Sequence, residues 1–101
     1  LQPNAHIYIS ANFHLGPQRN DPNSAFSNVR IDYLNEGLKK LADNQTIFYV
    51  DPNELFDDSN GNMDSIFTND GVHLVYKYYI PWAQWLMEQF FYLGHSPMTQ
   101  V

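Results

Sequence analysis

The sequence predicts an α/β fold with a parallel sheet. Two short runs rich in β-forming residues, at 6–10 and 46–50, predict strands. Between them, residues 27–42 carry apolar side chains at helical spacing. Because strand, helix and strand in this order form a βαβ unit, we expect the two strands to be parallel and joined by a right-handed crossover.

The predicted helix between the strands has one apolar face. Ser24 or Ser27 is a candidate N-cap, and Lys39 and Lys40 near its end suit the helix dipole. The apolar positions that define the face are Ile31, Leu34, Leu38, Leu41 and Ala42.

The segments that follow each strand are polar. Residues 11–24 contain Gly16, Pro17 and Pro22 and predict a long loop, which at a strand end is often functional. The second strand has no charge and no clean alternation, so we expect both of its faces to be buried. Because parallel strands are usually covered on both sides, we expect the same of the first strand. A single helical turn at 53–56 and turns at 57–62 and 69–71 are predicted after it.

The last predicted element is an apolar helix over about 76–93. Its mostly apolar surface must be covered on most sides. Pro81 either kinks a helix that starts near Val75 or lies in the first turn of one that begins near Ile80. Gly94 is the predicted C-terminal stop.

Length and composition exclude several classes of protein. The chain has 101 residues, enough for one small domain, and 44% of them are hydrophobic. Its net charge of -6 argues against binding to nucleic acid and against a polybasic membrane anchor. It has no cysteine, so disulfides, Cys zinc sites and a Cys nucleophile are excluded. No apolar run approaches the roughly 20 residues of a membrane span.

The strongest chemical motif is Asp70-Gly71-Val72-His73. A turn at Gly71 lets the carboxylate of Asp70 fold back to the imidazole of His73 and accept its Nδ1 proton. The Nε2 atom is then free to take a proton from a nucleophile. The alternative is a surface Asx turn followed by a histidine packed in the core.

Other candidates are weaker. Residues 57–64 suggest a calcium loop, but Phe56 and Phe67 stand where an EF-hand needs acidic ligands. No histidine pair has metal-ligand spacing. His14 and Ser10 lie where they could line a cleft, although a loop histidine and a structural serine are the simpler interpretations.

A longer set of residues resembles the C-terminal half of the SGNH (GDSL-type) hydrolases. The resemblance extends over roughly residues 4–93. The segments that carry it are Tyr49-Val50-Asp51, Glu54-Leu55-Phe56, Gly61, Phe67-Thr68, Asp70 to Leu74, Tyr79 and Trp82-Ala83.

This resemblance implies a serine esterase or acylhydrolase with a three-layer α/β/α flavodoxin-like fold. Asp70 and His73 match the motif that completes the family's Ser-His-Asp triad. The family's Gly-Asp-Ser motif is not among these residues, so residues 1–101 are expected to be the C-terminal portion of a single SGNH domain whose N-terminal half is absent. The implied substrate is a small-molecule or carbohydrate ester, with no metal or organic cofactor. The 101-residue chain alone is expected to be inactive.

A non-catalytic βαβ interaction module is the alternative. In that case Asp70 and His73 are structural, and the aromatic last helix mediates self-association. A truncated chain would leave open strand edges and apolar surface, so a homo-oligomer is expected. The sequence does not indicate a cellular compartment.

Overall fold

The computed structural model describes residues 5–99, and it describes side chains as far as Leu93. The main elements, in chain order, are β1 (Ile7–Ser10), α1 (Asn28–Lys39), β2 (Ile47–Val50), α2 (Asn53–Phe56) and α3 (Tyr79–Thr99). Two 3-10 helices, Ser65–Phe67 and Tyr76–Tyr78, lie between α2 and α3.

The two strands pair in parallel, as the βαβ pattern predicts. Ile7 is opposite Ile47, and Ser10 is opposite Val50. The described residues therefore form an α/β structure with a small two-stranded parallel sheet, and the predicted α/β class is confirmed.

The prediction that both strands are buried on two faces is wrong. In β1 both end residues, Ile7 and Ser10, are exposed, and in β2 buried Phe48 and Val50 alternate with half-buried neighbours. Within residues 5–99 only two strands pair, so few side chains are available to cover the outer face of β1.

The face that α1 buries also differs from the prediction. Its buried residues are Asn28, Ile31 and Asn35, while Leu34 is 58% exposed. Leu41, just beyond the helix, is 60% exposed. The helix is rotated so that its asparagines face inward. There they form hydrogen bonds with backbone groups of the neighbouring loop that would otherwise be left unpaired, and Leu34 stays at the surface.

Three buried asparagine side chains hold the loop that follows β1. Asn35 pairs with both backbone groups of Asn12, at 2.8 Å and 3.1 Å. The Asn28 side chain likewise accepts from the Leu15 backbone N–H at 2.6 Å and donates to the Leu15 carbonyl at 3.0 Å. The Asn53 side chain accepts from the His14 backbone N–H at 2.8 Å. The loop thus has the hydrogen bonds of a strand without a neighbouring strand.

The main core lies beside the sheet. Phe56, Met63 and Leu74 are buried together, and four partly buried aromatic residues pack around them: Phe13, Phe67, Tyr78 and Trp82. The rings of Phe56 and Phe67 meet edge to face, with centroids 5.1 Å apart. This cluster joins the loop after β1 to the segment between α2 and α3.

Pro81 and Gly94 have different effects on α3. The helix begins at Tyr79, so Pro81 lies in its first turn, as one of the two predicted alternatives requires. The prediction that the helix stops at Gly94 is wrong, because the backbone stays helical to Thr99. A glycine inside a helix costs only about 1 kcal/mol relative to alanine, which neighbouring helical turns can offset.

No helix in the described part of the chain combines the length and the apolar character that crossing a membrane requires.

Candidate functional site

The Asp70–His73 motif lies in a tight turn closed by its ends. Thr68 and Leu74 form an antiparallel bridge at its base. Gly71 has φ +81°, a conformation that side chains rarely adopt. Its N–H donates to the buried hydroxyl of Thr68 at 3.0 Å. The local sequence therefore specifies the turn through one glycine and one buried threonine.

Within this turn the carboxylate of Asp70 contacts the imidazole of His73. The distance from Asp70 Oδ2 to His73 Nδ1 is 2.7 Å. The other oxygen, Oδ1, accepts the backbone N–H groups of Val72 and His73, each at 2.8 Å. One carboxylate thus forms the predicted Asx turn and also contacts the ring, so the two interpretations of the motif are partly compatible.

His73 is not a core residue, because its side chain is 80% exposed. Among the described residues, none is hydrogen-bonded to its Nε2 atom, so this atom faces solvent. The hydrogen bonds from the backbone N–H and the ring of His73, and from Val72, hold the pKa of Asp70 well below its usual range. Asp70 is therefore ionised at neutral pH and able to stabilise a positive charge on the ring.

The turn is joined to the loop that leaves the carboxyl end of β1. The Gly16 N–H donates to the Gly71 carbonyl at 2.8 Å. A methyl group on Gly71 would lie 2.6 Å from Arg19 Cγ and 2.9 Å from Gln18 Cδ, so these two side chains would have to shift to accommodate it. The turn that carries the pair is thus tied to the loop that leaves the carboxyl end of β1.

The described serines do not complete a triad with this pair. The hydroxyl of Ser10 donates to the Ala11 carbonyl at 3.1 Å, and Ser27 is buried as the N-cap of α1. Among the serines whose side chains the structure describes, none hydrogen-bonds to His73. A shallow cavity of about 150 Å³ lies beside Asp70 and His73.

A second histidine cluster was missed by the sequence analysis, which treated His14 as a loop residue. Its Nδ1 lies 2.6 Å from Asp57 Oδ2, and its Nε2 lies 2.5 Å from Asp32 Oδ1. The hydrogen bond that His14 donates to Asp57, followed by the one to Asp32, raises the pKa of His14 to about 9 despite partial burial. The ring is therefore a cation at neutral pH.

This cluster is suited to structure rather than to catalysis or metal binding. Both ring nitrogens of His14 are occupied, so neither is free to accept a proton from a substrate. No group of side chains in the described residues has an arrangement able to hold a metal ion. His14 instead links the loop after β1 to α1 and to the end of α2.

The ring of His6, just before β1, packs against an aromatic neighbour. It meets Phe48 edge to face at 5.5 Å between ring centroids. The segment proposed as a calcium loop is an ordinary turn in which Asp58 Oδ1 accepts backbone N–H groups from Asn60 and Asn62.

Comparison with known proteins finds no family model, no curated protein and no solved structure that matches the chain. The resemblance to SGNH hydrolases therefore stays a prediction from the motifs, and the site is interpreted from its chemistry.

Proposed function

We propose that this chain supplies the general base of a serine carboxylic ester hydrolase, with His73 as the base and Asp70 as the group that orients it. The observation that carries the proposal is the 2.7 Å contact between Asp70 Oδ2 and His73 Nδ1 on a ring that is 80% exposed. Such a contact fixes a proton on Nδ1 and leaves Nε2 as an acceptor facing solvent.

In the proposed reaction, His73 transfers one proton in each of two halves. Its Nε2 takes the proton of a serine hydroxyl as that oxygen attacks the ester carbonyl. The imidazolium then gives the proton to the oxygen of the leaving alcohol as the ester C–O bond breaks, which leaves an acyl-serine. Water attacks this acyl group, Nε2 takes the proton of the water, and the proton passes to the serine oxygen as its bond to the acyl group breaks and the acid is released. Asp70 keeps the ring in one tautomer and stabilises the imidazolium in both halves.

The nucleophile and the fuller fold are parts of the same proposal. Since none of the described serines contacts His73, the proposal assigns the nucleophile to a serine outside the described residues. It also assigns the oxyanion donors there, and it places the βαβ unit within a three-layer flavodoxin-like domain. The motif resemblance supports these assignments, as does the hydrogen bond that joins the turn to the loop after the carboxyl end of β1.

The test measures hydrolysis of a short-chain aryl ester by the intact protein. We expect His73→Gln to lower kcat by about 10²- to 10⁴-fold because general acid–base catalysis is lost. Asp70→Asn is expected to lower kcat strongly while keeping an oxygen acceptor for the turn.

Asp43→Asn is the matched control. Asp43 Oδ1 also accepts several backbone N–H groups, among them those of Gln45 and Ile47, but no histidine within the described residues is hydrogen-bonded to it. The Asp43→Asn variant should have a kcat within about twofold of the wild type, as expected for a surface change away from the site. Equal activities of the Asp70→Asn and Asp43→Asn variants would contradict the proposed role of Asp70.

Self-association is the second candidate function, and one observation favours it. Ile80 and Met87, seven residues apart on one side of α3, are both exposed. If this face pairs with a second copy, light scattering at micromolar concentration will give a dimer, and Met87→Glu will convert it to a monomer. A monodisperse wild-type monomer would exclude this function.

A further inference from the structure

An apolar cleft lies between the loop after β1 and α1, beside the face of the helix that carries the buried asparagines. Its volume is about 310 Å³, at the lower end of the range for small-ligand sites. Its apolar lining includes Phe13, Leu15, Phe26, Ile31, Leu34 and Val72.

A second, more open cavity borders the cleft along α1. This cavity has a volume of about 690 Å³ and shares Ala25, Ser27, Arg30 and Leu34 with the first. Val29 and Tyr33 extend its apolar wall, and both are exposed. The surface that lines these two neighbouring cavities is defined here as the α1 groove.

A single cation stands in the α1 groove. Arg30 lines both cavities, and within the described residues its guanidinium has no hydrogen bond and no ion pair. The other four Lys and Arg side chains likewise have no ion pair among the described residues, so Arg30 is distinguished by its place beside apolar walls. The guanidinium fork matches a carboxylate through two parallel hydrogen bonds.

We propose that the α1 groove binds an aliphatic carboxylate, with the hydrocarbon chain against Leu34 and Phe26 and the carboxylate on Arg30. The apolar walls account for the chain, and the unpaired guanidinium accounts for the charge of the head group. An uncharged apolar ligand would leave Arg30 unpaired, and a hydrophilic anion would leave the apolar walls exposed to water. The proposal does not depend on esterase activity.

The test is a calorimetric titration of the protein with hexanoate, octanoate and decanoate below their micelle concentrations. Affinity should rise by about fourfold per added methylene until the groove is filled, because each buried methylene contributes a similar free energy. Decanol should bind at least tenfold more weakly than decanoate, because it lacks the charge-assisted pair.

Two pairs of variants test the assigned contacts. Arg30→Gln should weaken decanoate binding by about tenfold or more, whereas Lys39→Gln, with the same loss of charge at the far end of α1, should not. Leu34→Glu should abolish binding. Leu41→Glu, at a position of matched exposure outside the groove, should leave binding intact.

Three results would overturn the proposal. One is an affinity that does not change with chain length, and another is an equal loss in the Arg30→Gln and Lys39→Gln variants. The third is a wild-type protein that is dimeric, becomes monomeric in the Leu34→Glu variant, and stays dimeric when decanoate is added. That result would show that a second copy of the chain covers the groove.

Discussion

Replacing His14 with glutamine should remove a pH-dependent part of the protein's stability. The His14 side chain is only 12% exposed and lies between the carboxylates of Asp32 and Asp57. The pKa of His14 is raised from 6.5 to about 9, so the folded state holds a proton that the unfolded chain releases at lower pH. The stabilisation is fully present below pH 6.5 and is lost as the pH rises through 9.

The size of this effect follows from the same pKa difference. The pKa rises from 6.5 to about 9, and each pKa unit corresponds to about 1.36 kcal/mol. The contribution of His14 to the free energy of unfolding is therefore at most about 3 kcal/mol. The Asp32 side chain is 65% exposed, and exposed ion pairs contribute less than about 1 kcal/mol. We therefore expect about 2 kcal/mol, most of it from the better-buried pair with Asp57.

Urea denaturation at several pH values between 6 and 9.5 measures this contribution. The difference in unfolding free energy between the wild type and His14→Gln should be about 2 kcal/mol at pH 6 and should shrink toward pH 9.5. Other groups that titrate in this range cancel in the difference. His6→Gln, at a histidine with no carboxylate partner among the described residues, should follow the wild-type profile. Parallel curves for the wild type and His14→Gln would refute the reasoning.

Two further predictions concern the turn and the core, each with a matched control. Gly71→Ala should destabilise the protein by more than Gly61→Ala, because both glycines have φ +81° but only Gly71 has neighbouring atoms where the methyl group would lie. Urea midpoints compare them, and equal midpoints would contradict the close packing of the turn. Met63→Ala should cost about 2–5 kcal/mol because Met63 is fully buried, whereas exposed Met87→Ala should change stability by less than about 0.5 kcal/mol. Thermal unfolding distinguishes the two, and a small effect at Met63 would show that the core lies elsewhere.

The parts of this fold that the sequence predicts are those with local causes. The strands β1 and β2 and the helix between them follow from residue type and from periodicity within about a dozen positions. The contact between Asp70 and His73 is also local, since three positions separate the two residues across a glycine with positive φ.

The parts that could not be predicted depend on contacts between distant positions. His14 meets Asp32 and Asp57, which are 18 and 43 positions away. Asn28 and Asn35 look like surface residues of a helix, yet they face inward because the loop 12–15 needs partners for its backbone. The rotation of α1 that follows could not be derived from its hydrophobic pattern, which favoured Leu34 as a core residue.

The two histidine–carboxylate contacts in this protein illustrate why the same pair of residue types can have opposite roles. His14 is buried and gives both ring nitrogens to carboxylates, so its proton is held too tightly to be exchanged with a substrate. His73 gives only Nδ1 to a carboxylate, and its exposed ring keeps Nε2 available. A general base needs one nitrogen that is fixed and one that is free. Of the two, only His73 meets this condition, and for that reason the proposed chemistry is assigned to the turn at Gly71 rather than to the better-buried cluster.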